Sequence, residues 1–222
     1  MNKTKTILAA TVAAFAVSGM AKADSEYNVD GFTVLANNWQ YNWSTVFARA
    51  VFSGFNIAGD FKASTVSIGN NWISETDGST RILNQQTQLA DLGSTTKGPL
   101  TNVGGNVDLS AATICNNASM TTGHSGKVSI DNVQKCNTTD PFAVVGLAGN
   151  SIGGNIDLSA TTIANNVSVD AQTAGAWFGN TQANPANVYA AVEVDLNNVG
   201  GDVNATVAAV GNNATFKTKF TP

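Results

Sequence analysis

Two short markers recur in step along this chain, and together they restrict its fold more than any other feature. The first is a run of Gly, Asn, Thr and small apolar residues. It is clearest as VGGNVDLSAATICNN ending at Asn117 and IGGNIDLSATTIANN ending at Asn166, with relatives AGDFKASTVSIGNN ending at Asn71 and VGGDVNATVAAVGNN ending at Asn213. Its key glycines Gly59, Gly105, Gly154 and Gly201 stand 46, 49 and 47 residues apart. The second marker, Asn-x-Gln, falls at Asn38/Gln40, Asn84/Gln86, Asn132/Gln134 and Asn180/Gln182, spaced by 46, 48 and 48. Each Gln precedes the next key Gly by 19, 19, 20 and 19 residues, so two independent signals hold one register. A fixed period of this size marks an array, a propeller or a solenoid. The units run over about 38–83, 84–131, 132–179 and 180–222, all within one domain, 24–222.

Within a unit the residues after the glycine alternate. Ile156, Leu158, Ala160 and Thr162 fall on one side and Asp157, Ser159 and Thr161 on the other, the period of a strand with one buried face. The matching inward positions of the last unit, Val203, Ala205, Val207 and Ala209, are small, so the interior must be narrow. Ile68, Ile114, Ile163 and Val210 interrupt the pattern and predict a bend or bulge. The Asn pair that follows predicts a turn, because Asn tolerates left-handed backbone. VYAAVEVDL gives a second strand, with Val188, Ala190, Val192, Val194 and Leu196 in one parity, while SETDGSTR (74–81), GSTTKGPL (93–100) and TTGHSGK (121–127) read as loops.

These patterns favour an all-β fold, a β-solenoid of four repeats with two coils of about 23 residues each, eight rungs forming a rod of roughly 40 Å. One large coil per repeat is the alternative, and a small propeller also fits the unit length. Rungs of a solenoid lie about 4.8 Å apart, so matching residues stand above one another. Asn70, Asn71, Asn116, Asn117, Asn165, Asn166, Asn212 and Asn213, together with Gln40, Gln86, Gln134 and Gln182, are therefore expected to form amide ladders of the cross-β kind. The four key glycines would make the turns between strands.

The chain opens MNKTKTILAATVAAFAVSGMAKAD, in which Lys3 and Lys5 precede an apolar run and Ala21-Lys22-Ala23. That order reads as a secretory signal peptide, residues 1–23, cut after Ala23. No later apolar run reaches the roughly 20 residues of a membrane span. Loss of Lys3, Lys5 and Lys22 leaves 11 − 3 = 8 basic residues against 15 acidic, a net charge of −7. Such a surface disfavours nucleic acid and anionic lipid as partners. Charged residues are only 12% of the chain, against about 25% in an ordinary domain. Polarity comes instead from Asn and Thr, 26 and 22 of them from Asp24 onward.

Two cysteines remain, Cys115 and Cys136. In an oxidising compartment they are expected to form one disulfide, although Cys115 aligns with Gly69, Ala164 and Gly211 and would also suit a buried thiol. The single histidine, His124, has no evident metal-ligating neighbour and reads as a solvated loop residue. Asp108 and Asp157 share a repeat position and could pair over calcium or a glycoside, but Lys62 and Asn204 stand there in the outer units. No metal, cofactor or catalytic group is predicted. The segment 39–55 gathers Trp39, Tyr41, Trp43, Phe47, Phe52 and Phe55, which either close one end of the stack or offer a surface to a glycan or partner. Sequons at Asn117, Asn166 and Asn213 are part of the repeat itself.

The repeated GGN(V/I)DLSA(A/T)TI(C/A)NN and the in-step Asn-x-Gln cover nearly all of the chain after residue 23. They resemble the subunits of bacterial surface fibres, curli most familiarly, and the holdfast-anchoring adhesins of stalked bacteria. Curli-type units are about half as long, so the resemblance carries the class and not its residues. It implies export through the outer membrane of a Gram-negative bacterium, end-to-end stacking, and a role in adhesion or biofilm matrix. The implied partners are further copies of the chain, surface polysaccharide, or a secretion or anchor protein. Physics also favours assembly, because a solenoid leaves unpaired backbone groups at both ends; Lys217, Lys219 and Pro222 would blunt one of them. The competing reading is a monomeric carbohydrate-binding surface module using the aromatic cluster. A polysaccharide-cleaving β-helix would need a catalytic carboxylate cluster and an ice-binding solenoid a continuous Thr-x-Thr column, and the sequence offers neither.

Overall fold

The computed structural model describes residues 8–15, 21–24, 32, 34–173 and 175–219. Two strands precede the first coil, β1 (Leu8–Phe15) and β2 (Ala21–Asp24). The first coil then follows as β3 (Val34–Asn42), β4 (Val46–Val51), β5 (Gly54–Ile57) and β6 (Phe61–Thr76). The second is β7 (Thr80–Gln88), β8 (Leu92–Val103) and β9 (Val107–Ser125), and the third β10 (Val128–Cys136), β11 (Phe142–Ile152) and β12 (Ile156–Thr173). The fourth is β13 (Ala176–Ala183), β14 (Tyr189–Val199) and β15 (Val203–Thr218). No helix occurs among the described residues.

Three parallel stacks result. Sheet A holds β6-β9-β12-β15 with β1 at its edge, sheet B holds β3-β7-β10-β13 with β2 at its edge, and sheet C holds β4-β8-β11-β14 with β5 also on β8. Residues one repeat apart are direct partners: Phe61 with Val107, Val107 with Ile156, Ile156 with Val203. Those partners are separated by a whole unit, so each repeat closes one large coil of three sides. The fold is the expected β-solenoid; the expected division into two coils per repeat is corrected. The reason is the length of the sheet A strands, 16, 19, 18 and 16 residues, which occupy a third or more of each unit in a single side. Four coils at the usual rung spacing make a stack of roughly 20 Å, half the expected rise.

The narrow interior arises because each sheet A strand bends and faces two other sheets. Burial alternates from Phe61 inward, then Gly69 and Asn70 are buried in succession, as are Ala164 and Asn165. At this bend the pairing passes over Gly69, Cys115 and Ala164, and the register is the same on either side of them. The bend falls one residue later than expected, since Ile68 and Ile163 keep the alternation. The Asn pairs are accordingly not turns: they lie inside continuous strands, just past the bend. GSTTKGPL is likewise strand, within β8, and β9 runs on to Ser125 through most of TTGHSGK; only around 77–79 does SETDGSTR loop.

The bend divides the core. Before it, Phe61, Val107, Leu109, Ile156 and Leu158 pack against Leu100, Val103, Val145 and Leu147 of sheet C. After it, Trp72, Met120, Val167 and Val169 pack against Ile82, Val128 and Ile130 of sheet B. Burial of apolar area at about 25 cal/mol per Å² holds these compartments together.

The key glycines act by contact. A Cβ at Gly105 would stand 2.7 Å from the carbonyl carbon of Gly59, and one at Gly154 or Gly201 would stand 2.7 Å from the carbonyl oxygen of the glycine beneath. The Gly105 N–H donates to Gly59 O and the Gly154 N–H to Gly105 O, both at 3.1 Å. The left-handed backbone sits three residues earlier, at Asn56, Asn102, Ser151 and Asn198, with φ between 54° and 58°. Gly154→Val should therefore lower stability by roughly 1–3 kcal/mol, the range for overpacked sites. Gly175→Ala, whose Cβ would meet nothing within 4 Å, should stay within about 0.5 kcal/mol of the parent. Parallel urea titrations followed by circular dichroism measure both.

Candidate functional site

Amide side chains run up the stack in continuous columns. The Asn70 Nδ2 donates to Asn116 Oδ1 at 2.8 Å, Asn116 Nδ2 to Asn165 Oδ1 at 2.8 Å, and Asn165 Nδ2 to Asn212 Oδ1 at 2.7 Å. Asn70, Asn116 and Asn165 are buried at the bend, between the two apolar compartments. Across from them Gln86 donates to Gln40, Gln134 to Gln86 and Gln182 to Gln134, each at 2.8 Å. Gln40, Gln86, Gln134 and Gln182 also reach the carbonyls of Asn71, Asn117, Asn166 and Asn213, tying sheet B to sheet A. On the outer side Asn117 donates to Asn71, Asn166 to Asn117 and Asn213 to Asn166, each at 2.7 Å. All twelve ladder residues named from the sequence thus stand in three columns.

A fourth column carries the Asn of Asn-x-Gln, read from the sequence only as a marker. Asn38 donates to Asn84, Asn84 to Asn132 and Asn132 to Asn180 at 2.6, 2.6 and 2.7 Å. Its burial was legible, since Asn and Gln two residues apart in a strand share a face. The columns have opposite senses: donors of the Asn38 and Asn70 columns point toward the fourth coil, those of the Gln40 and Asn71 columns toward the first. A buried amide with both neighbours in place is satisfied without water, and this removes the usual penalty of burying it.

The turns have their own columns. The backbone N–H of Asn106 donates to Asp60 Oδ1, that of Asn155 to Asn106 Oδ1 and that of Asp202 to Asn155 Oδ1, at 2.8, 2.9 and 3.0 Å. Beside them Asn102 donates to Asn56 at 2.9 Å, but Ser151 interrupts the line, receiving Asn198 Nδ2 at 3.4 Å. Ser151→Asn should complete this column and suit the left-handed backbone, raising stability by roughly 0.5–1 kcal/mol, the size of one net hydrogen bond. The check is a shift of the thermal midpoint upward.

At the first coil the columns end. Asn38 Oδ1 and Asn70 Oδ1 are buried and accept no hydrogen bond. At the fourth coil Val203 and Val207, which stand in line with buried residues of the coil beneath, are 45% and 51% exposed. Cys115 and Cys136 form a disulfide between coils two and three, with Cα atoms 5.9 Å apart.

Trp39 (61% exposed), Tyr41, Trp43 (74%), Phe47 and Phe55 are exposed. Trp39 and Tyr41 alternate with the buried Asn38, Gln40 and Asn42 along β3 and so stand on the outer side of sheet B. They do not plug the stack, which corrects the reading of the whole cluster as an end cap; only Phe52 turns toward the core, its ring 4.7 Å from that of Phe61. Asp108 pairs with Lys62 at 3.2 Å and Asp157 accepts Asn204 Nδ2 at 2.9 Å, so the two acids are engaged separately along their column. No group of three His, Cys, Asp or Glu that could hold a metal occurs among the described residues. The His124 side chain lies outside them, although its backbone is in β9.

Parallel coils, an in-register amide interior and, among the described residues, strands without helices define the class: a β-solenoid repeat protein. The model of one family, described as holdfast attachment protein D, matches residues 9–219, nearly the full length, and the chain belongs to that family. It is a bacterial surface adhesion component, placed at the cell surface or outside it. No curated protein and no solved structure matched the chain.

Proposed function

We propose that this protein is an exported structural subunit that stacks coil upon coil into a fibre and so ties a bacterium to its adhesive matrix. One observation carries this reading. Two of the buried columns are repeating hydrogen-bond chains that end at the first coil, at Asn38 and Asn70, in buried acceptors without donors. A further copy supplies the missing donors, since its own fourth coil carries Asn180 and Asn212 in the same two columns. The acids are occupied by Lys62 and Asn204, which favours a scaffold over an enzyme. Export by the leader, release after Ala23, a Gram-negative source and a place in biofilm matrix belong to the same proposal. Electron microscopy of the processed protein, with added preformed seeds, tests it. Unbranched fibres whose lag vanishes on seeding are expected, and particles that stay monomeric under all conditions would sink it.

A second reading rests on the outer side of sheet B. Trp39 and Trp43 are exposed aromatic surfaces of the kind that stack on sugar rings. On that reading the coil is a monomeric carbohydrate-binding module. Loss of glycan binding in Trp39→Ala and Trp43→Ala with no change in assembly would favour it.

A further inference from the structure

The leader strand β1 is built like a rung. Leu8–Phe15 pairs in parallel with Phe61–Ile68 in the register that every other sheet A strand uses, so Leu8 stands in the column of Phe61, Val107, Ile156 and Val203. Its sequence, LAATVAAF, matches the last rung, VNATVAAV (203–210), with ATVAA identical and column for column in line. Strand β2 covers the edge of sheet B beside it, in antiparallel pairing with β3. The leader therefore lies on the N-terminal end of the coil, in the place that a fifth rung would take, and carries the residues of the fourth.

Resting on the fibre reading above, we propose that β1 is an internal stand-in for β15 of a second copy: the leader guards the N-terminal edge until it is removed, and the strand Val203–Thr218 of another chain then docks there in the same register. The leader is an incomplete substitute, and this gives the exchange a direction. No Asn or Gln occurs from Ile7 to Asp24, so the leader has no amide to offer the Asn38 and Asn70 columns. A second copy brings Asn212 to the unpartnered Asn70 Oδ1 and Asn180 to Asn38 Oδ1. It also brings an Asp202 carboxylate to the Asp60 column, where each rung's acidic or amide oxygen accepts the next rung's backbone N–H. Lys217 lies in the column of Glu75, so the docked strand sets a cation beside an anion. On this geometry the C-terminal lysine matches the opposite end and does not simply blunt its own.

The test uses the full chain carrying Ser64→Cys and Thr206→Cys, which occupy one outward column, purified with the leader in place and then cut after Ala23 with leader peptidase. In-register neighbours are close enough for a disulfide, within about 4.4–6.8 Å between Cα atoms. Oxidation should give a ladder of covalent multimers after the cut and at least tenfold fewer before it. The parent chain, followed by sedimentation through the same cut, covers the case in which the cysteines disturb folding. Val207→Asp, at a position open in the monomer, should abolish growth while leaving the monomer's circular dichroism unchanged. Equal multimers before and after the cut would overturn the guarding role. Growth without the 64-to-206 link would overturn the docking register, and both of these results leave the fibre reading standing. Failure of the cut chain to grow at all would end both.

Discussion

Asn116→Ala should destabilise the coil by roughly 2–6 kcal/mol, because it leaves two buried amides each short of a partner at about 1–3 kcal/mol apiece. Asn116 is fully buried and sits mid-column, accepting from Asn70 and donating to Asn165. Its removal strands the Asn70 Nδ2 and the Asn165 Oδ1 between two apolar compartments. The matched control is Asn213→Ala, at the exposed end of its column with one amide bond to Asn166, where the loss should stay within about 0.5 kcal/mol. Urea denaturation of both variants measures the difference. Equal midpoints would mean that the columns follow from backbone stacking and add nothing to it.

Replacing Cys115 and Cys136 together by Ala should cost about 3 kcal/mol, from the unfolded-state entropy restored when a cross-link of this span is lost. The two residues are 21 apart in sequence and join coil two to coil three inside a small buried cluster with Val46, Leu92 and Ala164. In the first coil the column of Cys136 holds Asn42, whose Nδ2 reaches Gly69 O at 3.3 Å within that same coil. Cys136→Asn with Cys115→Ala should therefore recover part of the loss, because the new amide stands toward the Ala164 carbonyl as Asn42 does toward that of Gly69. Thermal unfolding with and without reductant reads both variants; a reduced parent as stable as the oxidised one would remove the disulfide from the account.

Much of this fold was legible because the repeat supplies its own alignment. Gly59 to Gly201 and Gln40 to Gln182 are two rulers of one length, and any stack that respects them must bring Asn70, Asn116, Asn165 and Asn212 into one row. What the sequence left open was the path between the rulers. The Asn pair has turn chemistry, but Asn116 and Asn117 lie in β9 because each amide gains more from the rung above and below than from a local bend. GSTTKGPL has loop composition, yet Thr96 Oγ1 lies 2.7 Å from Thr65 Oγ1 and donates to Ser110 O, so its polar groups are met inside the coil. The number of coils per repeat was ambiguous for a related reason: periodicity fixes what recurs but not how many corners one period contains. The aromatic cluster was visible as a cluster, while its placement on an outer face depended on the parity of Trp39 and Tyr41 relative to Asn38 and Gln40.

The opposed senses of the amide columns have an electrostatic consequence. A primary amide carries a dipole comparable to that of a peptide unit, about 3.5 D, and a row pointing one way would sum with length, as a helix does. Here the Asn38 and Asn70 rows are offset by the Gln40 and Asn71 rows. Lengthening the stack therefore builds up no axial polarisation from these four rows, however many coils are added.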